Sequence, residues 1–241
     1  MKTRDSISSK IVQRQKRYTW PRRILRDGLL RPIGFRLIVR PHVLGLEHVP
    51  KDGPTLLVMN HIGFVDPVVV LGVVKHRWVI PMSKVENFRT PIIGQLTRLW
   101  GAYPVHRDQI DREALQNTLD LLKAGHCVLI APEGTRQKQM IQAKAGFTYV
   151  ATKTNAVVVP IGLEYTDRVS SNLKRLKRTD VEVRFGPAFR FKTSGRTHIP
   201  RNELDQMTQE AMYQLAKLVG EHRRGYYENL TLATTDTLEF I

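Results

Sequence analysis

The sequence predicts an α/β fold: a single mixed sheet flanked by helices, preceded by an N-terminal basic amphipathic helical segment. Three observations predict it. From about residue 43 onward, apolar runs of strand length alternate with stretches of helical periodicity, the pattern of a sheet that carries helices on its faces. A length of 241 residues suits one ordinary α/β domain better than two. Positive charge is concentrated ahead of the alternation: the net charge is +16, and residues 1–40 supply +10 of it, with twelve Lys and Arg against Asp5 and Asp27. Residues 1–42 are therefore read as a membrane-associating helical segment and residues 43–241 as the folded domain.

In the first segment, Tyr18, Trp20, Ile24, Leu25, Leu29, Leu30 and Ile33 interleave with arginines, and Pro21 and Pro32 are expected to divide the stretch into two short helices. Arginine stems can lie on apolar surface while their guanidinium groups reach lipid phosphates, and Tyr18 and Trp20 suit a headgroup layer. An anionic partner is implied: membrane phospholipids, nucleic acid or an acidic carrier protein. Membrane is favoured, and no nucleic-acid partner is expected, because no zinc finger or RNP-like aromatic signature accompanies the charge. The expected location is peripheral or monotopic on the cytoplasmic face of a membrane, since no apolar run approaches the roughly 18 residues of a span. The first 26 residues are arginine-rich and acid-poor, which also fits an organelle transit peptide. A single cysteine, Cys127, lies in an apolar run and reads as a small buried hydrophobe in a reducing compartment.

After Pro41 the elements follow in order. Residues 43–49 are expected as an edge strand and 55–59, bounded by Gly53-Pro54, as a buried one. Asp66 is expected to cap a helix over 67–75, with Pro67 at its first position. Residues 78–81 read as a strand. Asp108 is expected to cap a helix with Leu115, Leu119 and Leu122 on one face, ended by Gly125. Residues 127–130, 156–161 and 181–185 read as strands, a helix is expected after Gly146, and Leu204, Met207, Ala211, Leu215 and Leu218 mark a long amphipathic helix.

Candidate chemistry falls at strand ends, where open α/β sheets bind ligands. His61 and Asp66, five positions apart after strand 55–59, suit a histidine base and the carboxylate that orients it. They equally suit a structural histidine and a helix cap. Arg107 follows an aromatic and apolar stretch, where a guanidinium can grip phosphate or pair with Asp108 or Asp111. Glu133-Gly134-Thr135-Arg136 follows strand 127–130; glycine permits close ligand approach, Thr135 can donate to phosphate and Arg136 supplies charge, although an ordinary turn has the same composition. Lys84 and Lys144 are further loop cations, read as site residues or as solvated charges.

Together these segments resemble the glycerolipid acyltransferase family, typified by 1-acylglycerol-3-phosphate acyltransferase, over about residues 45–225. His61 and Asp66 match its His-x-x-x-x-Asp motif, residues 101–107 its second motif, Glu133-Gly134-Thr135-Arg136 its third and Val159-Pro160-Ile161 its fourth. Ser83-Lys84-Val85-Glu86-Asn87 is similar to the family's Ala-Lys-x-Glu-Leu element, departing at Ser83 and Asn87. Ala131 replaces the phenylalanine that usually opens the third motif, and Arg224-Gly225-Tyr226 matches the family's C-terminal ending loosely. The resemblance implies a glycerol-3-phosphate acyltransferase-like fold, with 43–241 as an acyltransferase domain. It implies an enzyme that moves a fatty acyl group from acyl-CoA or acyl-carrier protein to a lysophospholipid acceptor, 1-acyl-glycerol-3-phosphate above glycerol-3-phosphate or other lysolipids, forming phosphatidic acid. His61 and Asp66 would be catalytic. Arg107, Glu133, Gly134, Thr135, Arg136, Lys84 and Lys144 would hold substrate, with no metal and no cofactor beyond the thioester co-substrate. A non-catalytic membrane or nucleic-acid-binding protein on the same fold is the contrasting reading.

Overall fold

A computed structural model describes residues 9–107 and 111–241. Asp108, expected as a helix cap, lies outside the described residues.

The N-terminal segment is one nearly continuous helical stretch and not two helices. It runs through α1 (Lys10–Gln15), a 3₁₀ turn (Lys16–Tyr18), α2 (Thr19–Arg23) and π turns (Ile24–Ile38). Pro21 falls in the first turn of α2, where no N–H is needed, and Pro32 is accommodated within the wider π turns. The chain then enters β1 (Val39–Leu44), which starts and stops earlier than the expected 43–49 because Gly45 turns it at φ +71°. A Cβ at Gly45 would lie 2.1 Å from the Phe185 carbonyl oxygen, so glycine alone fits there.

The remaining elements are β2 (Thr55–Met59), α3 (Asp66–Val73), β3 (Val79–Lys84), α4 (Pro91–Trp100), β4 (Tyr103–Val105), α5 (Arg112–Lys123), β5 (Cys127–Ile130), α6 (Gly146–Thr154), β6 (Val157–Glu164), α7 (Val169–Lys174), β7 (Thr179–Phe185), β8 (Phe189–Phe191), α8 (Arg201–Ala216), α9 (Glu221–Arg224) and β9 (Leu238–Phe240). The sheet order is β1-β7-β6-β2-β5-β3-β4, with β8 and β9 added beside β6. Pairing is parallel except at β6–β7, β6–β8 and β8–β9, which makes the sheet mixed as expected. The cap of α5 is Asp111, whose side chain accepts from the Ala114 N–H. Helix α4, the short strands β4, β8 and β9, and the small helices α7 and α9 were not expected.

Side-chain alternation builds two cores. Leu56, Val58, Ile80, Val128 and Val158 pack on one face with residues of α5, α6 and α8. Leu57, Met59, Val79, Leu129 and Val159 pack on the other, with α3 and with Leu25, Phe35 and Ile38 of the N-terminal stretch. Val159 and Ile161 are thus core residues of a central strand.

The N-terminal stretch is amphipathic in the opposite sense to a solvated helix. Three of its arginines point inward: Arg22 Nε donates to the Trp100 carbonyl at 2.6 Å, Arg26 to the Val74 and Lys75 carbonyls, and Arg31 to the Gly72 carbonyl. These oxygens end α3 and α4, so the guanidinium groups satisfy helix C-terminal carbonyls and meet the negative end of each dipole. Arg26 also stacks 4.0 Å from the Trp78 ring centroid. These three are therefore not free for lipid phosphates, whereas Arg14, Arg17, Arg23 and Arg36 remain exposed. Trp20, Ile24, Leu29, Ile33 and Leu37 face outward. No helix among the described residues is long and apolar enough to cross a membrane.

Candidate active site

The turn after β2 sets the centre of the site. His61 leaves the C-terminal end of the strand, and the chain curls so that Asp66 Oδ2 accepts from three donors: His61 Nδ1 at 2.8 Å, the Ile62 N–H at 2.7 Å and the Gly63 N–H at 2.8 Å. This corrects the expectation that Asp66 caps α3. It is the first helical residue, Val65 holds the cap position, and the carboxylate is turned backward onto the turn. Asp66 is fully buried and His61 nearly so. Because Nδ1–H donates its hydrogen bond to the carboxylate, Nε2 is left with its lone pair, the tautomer that a general base requires. The neighbouring Asn60, which sequence reasoning missed, fixes the strand end: its amide donates to the Leu163 carbonyl and accepts from the Leu163 N–H at 2.8 Å. Its visible signal was a polar residue directly after the apolar run Leu56–Met59.

His61 opens into a cavity lined also by Lys84, Arg107, Gly134 and Arg136, which gathers five of the nine expected site residues from four strand ends. Burial, and then the charge of Arg136, hold the Arg107 guanidinium below its ordinary value, with Glu86 opposing. Two guanidinium groups that repel each other beside a cavity give it a positive potential. Gly134 adopts φ +73°, the left-handed turn its motif needs. Arg136 also lies 6.0 Å from the Phe64 ring centroid.

Four expected residues sit elsewhere. Asp66 is behind His61; Thr135 is exposed and does not line the cavity; Lys144 donates from Nζ to the Arg107 carbonyl at 3.3 Å and so braces the Arg107 turn. Glu133 is buried beneath the turn, near the His61 backbone amide, with Oε1 unpartnered. Burial, and secondarily the Asp66 charge, push its carboxyl up to about 8. A folded-state value above the unfolded one means that stability falls as pH rises between about 4.5 and about 8, because the folded state retains the proton longer. Glu133→Gln is expected to remove that decline, measured as urea midpoints from pH 5 to pH 8.5; parallel curves for variant and wild type would contradict it.

An apolar cavity of about 440 Å³ joins the first along Phe64, Pro67, Met82, Ser83 and Asn87 and runs between the N-terminal stretch, α3 and α4, past Leu29, Ile33 and Leu96. At the junction Asn87 donates to Ser83 Oγ at 2.9 Å. The two positions that depart from the family element are thus partners of each other. Ala131, where phenylalanine is usual, lines the first cavity.

Comparison with known proteins decides the family. The Acyltransferase family model matches residues 40–164, more than half of the chain. The chain belongs to the acyltransferase family. The matched span holds the dyad, both cavity arginines and the central strands. Among curated relatives, this acyltransferase is similar to a chloroplastic 1-acyl-sn-glycerol-3-phosphate acyltransferase of Arabidopsis thaliana, 37% identical over 53% of this chain and 37% of that protein. It is also similar to the 1-acyl-sn-glycerol-3-phosphate acyltransferase of Bacillus subtilis, 28% identical over 73% of this chain and 85% of that protein. The chain spans little more than a third of the chloroplastic relatives it matches. In fold, the acyltransferase is similar to the crystal structure of the 1-acyl-sn-glycerophosphate acyltransferase of Thermotoga maritima, with a TM-score of 0.61, 22% identity and 83% of each chain covered.

Proposed function

We propose that this acyltransferase moves a fatty acyl group from an acyl thioester to the sn-2 hydroxyl of 1-acyl-glycerol-3-phosphate, forming phosphatidic acid. The observation that carries the reading is the junction of a cationic cavity holding His61 Nε2 with an apolar groove. A lysophospholipid and an acyl thioester present those two chemistries. The Bacillus subtilis 1-acyl-sn-glycerol-3-phosphate acyltransferase, matched over 73% of this chain, supports the same acceptor.

The step follows from the residues. The acceptor phosphate rests on Arg107 and Arg136, which brings its hydroxyl to His61. Nε2 takes the hydroxyl proton as the oxygen attacks the thioester carbonyl, and Asp66 stabilises the imidazolium that results. Collapse of the tetrahedral intermediate breaks the C–S bond, and the leaving thiolate recovers the proton from His61. Atoms balance without a covalent acyl-enzyme or a cofactor. Donor chains lie in the apolar groove, and acyl-CoA and acyl-carrier protein both supply the required thioester. Glu133 supports the turn under His61, while Lys84 adds positive potential at the cavity.

The outward row of Trp20, Ile24, Leu29, Ile33 and Leu37, together with exposed Ile92 and Leu96 of α4, lies in an anionic bilayer surface, with the exposed arginines at phosphate level. Residues 1–42 are read on this basis as the membrane-associating segment and 43–241 as the acyltransferase domain, with Leu25, Leu30 and Ile38 of the first also walling the donor groove. Trp20→Asp with Ile24→Asp is expected to lower binding to phosphatidylglycerol vesicles by about tenfold. Unchanged co-sedimentation would remove the membrane role of that face.

The reaction is tested by incubating purified full chain with lysophosphatidate and either donor. Phosphatidic acid is the expected product; acylation of glycerol-3-phosphate alone, or of nothing, would contradict the acceptor.

A further inference from the structure

The loop that carries Arg136 is held from two sides. On the dyad side, the Gln137 N–H donates to the His61 carbonyl at 2.8 Å. On the far side, a C-terminal segment straps it. The Met140 N–H donates to the Arg223 carbonyl at 2.8 Å, the Tyr226 N–H returns to the Met140 carbonyl at 2.9 Å, and the Ala143 N–H donates to Tyr227 Oη at 3.1 Å. Gly225, at φ +48°, permits this approach: a Cβ there would lie 2.4 Å from the Met140 carbonyl oxygen.

Arg223 anchors the strap, and its side chain is buried. Nε donates to Glu164 Oε2 at 3.2 Å, Nη2 to Asp167 Oδ2 at 2.8 Å and Nη1 to the Lys138 carbonyl at 3.1 Å. Glu164, at the end of β6, is itself buried and also accepts from the Gly220 N–H at 2.8 Å. Burying an arginine with carboxylates is a poor route to stability, because desolvation offsets most of the attraction. Its return is placement: one fork fixes the loop two residues beyond Arg136 to the central sheet.

We propose that Arg223 is a positioning residue for the acceptor, acting through the Lys138 carbonyl and the strap to hold Arg136 over the cavity, although it is not among the residues that line that cavity. The proposal rests on the reading of Arg136 as a phosphate ligand. A guanidinium displaced by even an ångström loses its bidentate geometry, so the effect belongs to acceptor binding more than to turnover.

The test uses the full chain carrying Arg223→Met, Arg223→Lys, or Arg223→Met with Glu164→Gln. The double variant removes opposite buried charges together and so protects folding. Amide hydrogen exchange over residues 134–143 is expected to quicken about tenfold while β2 and β5 keep their protection. Acceptor KM is expected to rise about tenfold, with kcat and donor KM within about threefold, and Arg223→Lys to recover part of the acceptor affinity. An unchanged acceptor KM in the folded double variant would overturn the proposal, as would kcat and both KM values worsening together. If the wild type makes no phosphatidic acid, the functional reading falls by itself; the exchange data then decide the strap, and unchanged exchange over 134–143 overturns it.

Discussion

His61→Ala is expected to lower kcat/KM about 10³-fold with either thioester donor, with acceptor KM nearly unchanged. The magnitude follows from the geometry. His61 is nearly buried, its Nδ1 is committed to Asp66, and Nε2 is the imidazole nitrogen free to face the cavity. Removing it leaves the hydroxyl no partner for its proton as the C–O bond forms. The loss therefore falls on kcat and leaves ground-state binding to the arginines. The substitution keeps the turn, since Asp66 Oδ2 still receives the Ile62 and Gly63 N–H groups. Melting within a few degrees of wild type is expected by calorimetry, so that lost activity reports chemistry. A fall of less than about tenfold would leave His61 outside general-base catalysis.

The second large effect is expected at the anion site. Arg107→Met with Arg136→Met should lower kcat/KM for lysophosphatidate about 10³-fold, carried in acceptor KM, because charge-assisted hydrogen bonds contribute about 1.5–3 kcal/mol each. Donor KM should hold. Arg136→Lys should recover only part of the loss, for an ammonium keeps the charge and loses the planar fork. Arg107 carries a further signature. Its own pKa is held down by burial and by Arg136, so Arg136→Met relieves the repulsion even as it removes a ligand. Equal KM values for wild type and double variant, measured at fixed ionic strength, would place the phosphate elsewhere.

What the sequence disclosed depended on the range of each interaction. Residues 55–59 were legible as a buried strand because Thr55 and four apolar residues sit between Gly53-Pro54 and a polar end, and all five are buried. His61 and Asp66 were legible because their hydrogen bond closes within five residues. Asp66 as a cap was not, since the choice between forward and backward N–H groups belongs to the turn's tertiary setting. Asp111 caps α5 by the same short-range chemistry expected of Asp108, three residues along. The inward arginines were illegible for a different reason. Arg22, Arg26 and Arg31 find their acceptors 41 to 78 residues away, at the ends of helices that the local pattern does not connect to them. Helix boundaries in that stretch failed likewise, because Pro21 and Pro32 mark breaks in isolation and fit here into a first turn and into π turns. Glu133 shows the limit within a motif: the family resemblance implied a substrate-holding residue, while folding buries it behind His61.

The same distinction explains the C-terminal segment. Arg223 lies outside the recognisable motifs, and its three partners are 56 to 85 residues distant. Nothing local marks it as different from half-buried Arg224. Its burial and its geometry do.

The most direct measurement of the central claim, that the His61–Asp66 pair transfers the acyl group directly to the acceptor hydroxyl, is a rapid-quench single turnover of wild-type chain with radiolabelled acyl thioester. The label and the intact protein mass are followed before and after lysophosphatidate is added. Label is expected to remain on the donor, with protein mass unchanged, until the acceptor arrives, and then to appear in phosphatidic acid in one phase. Label on the protein before the acceptor is added, with a mass gain of one acyl group, would contradict it.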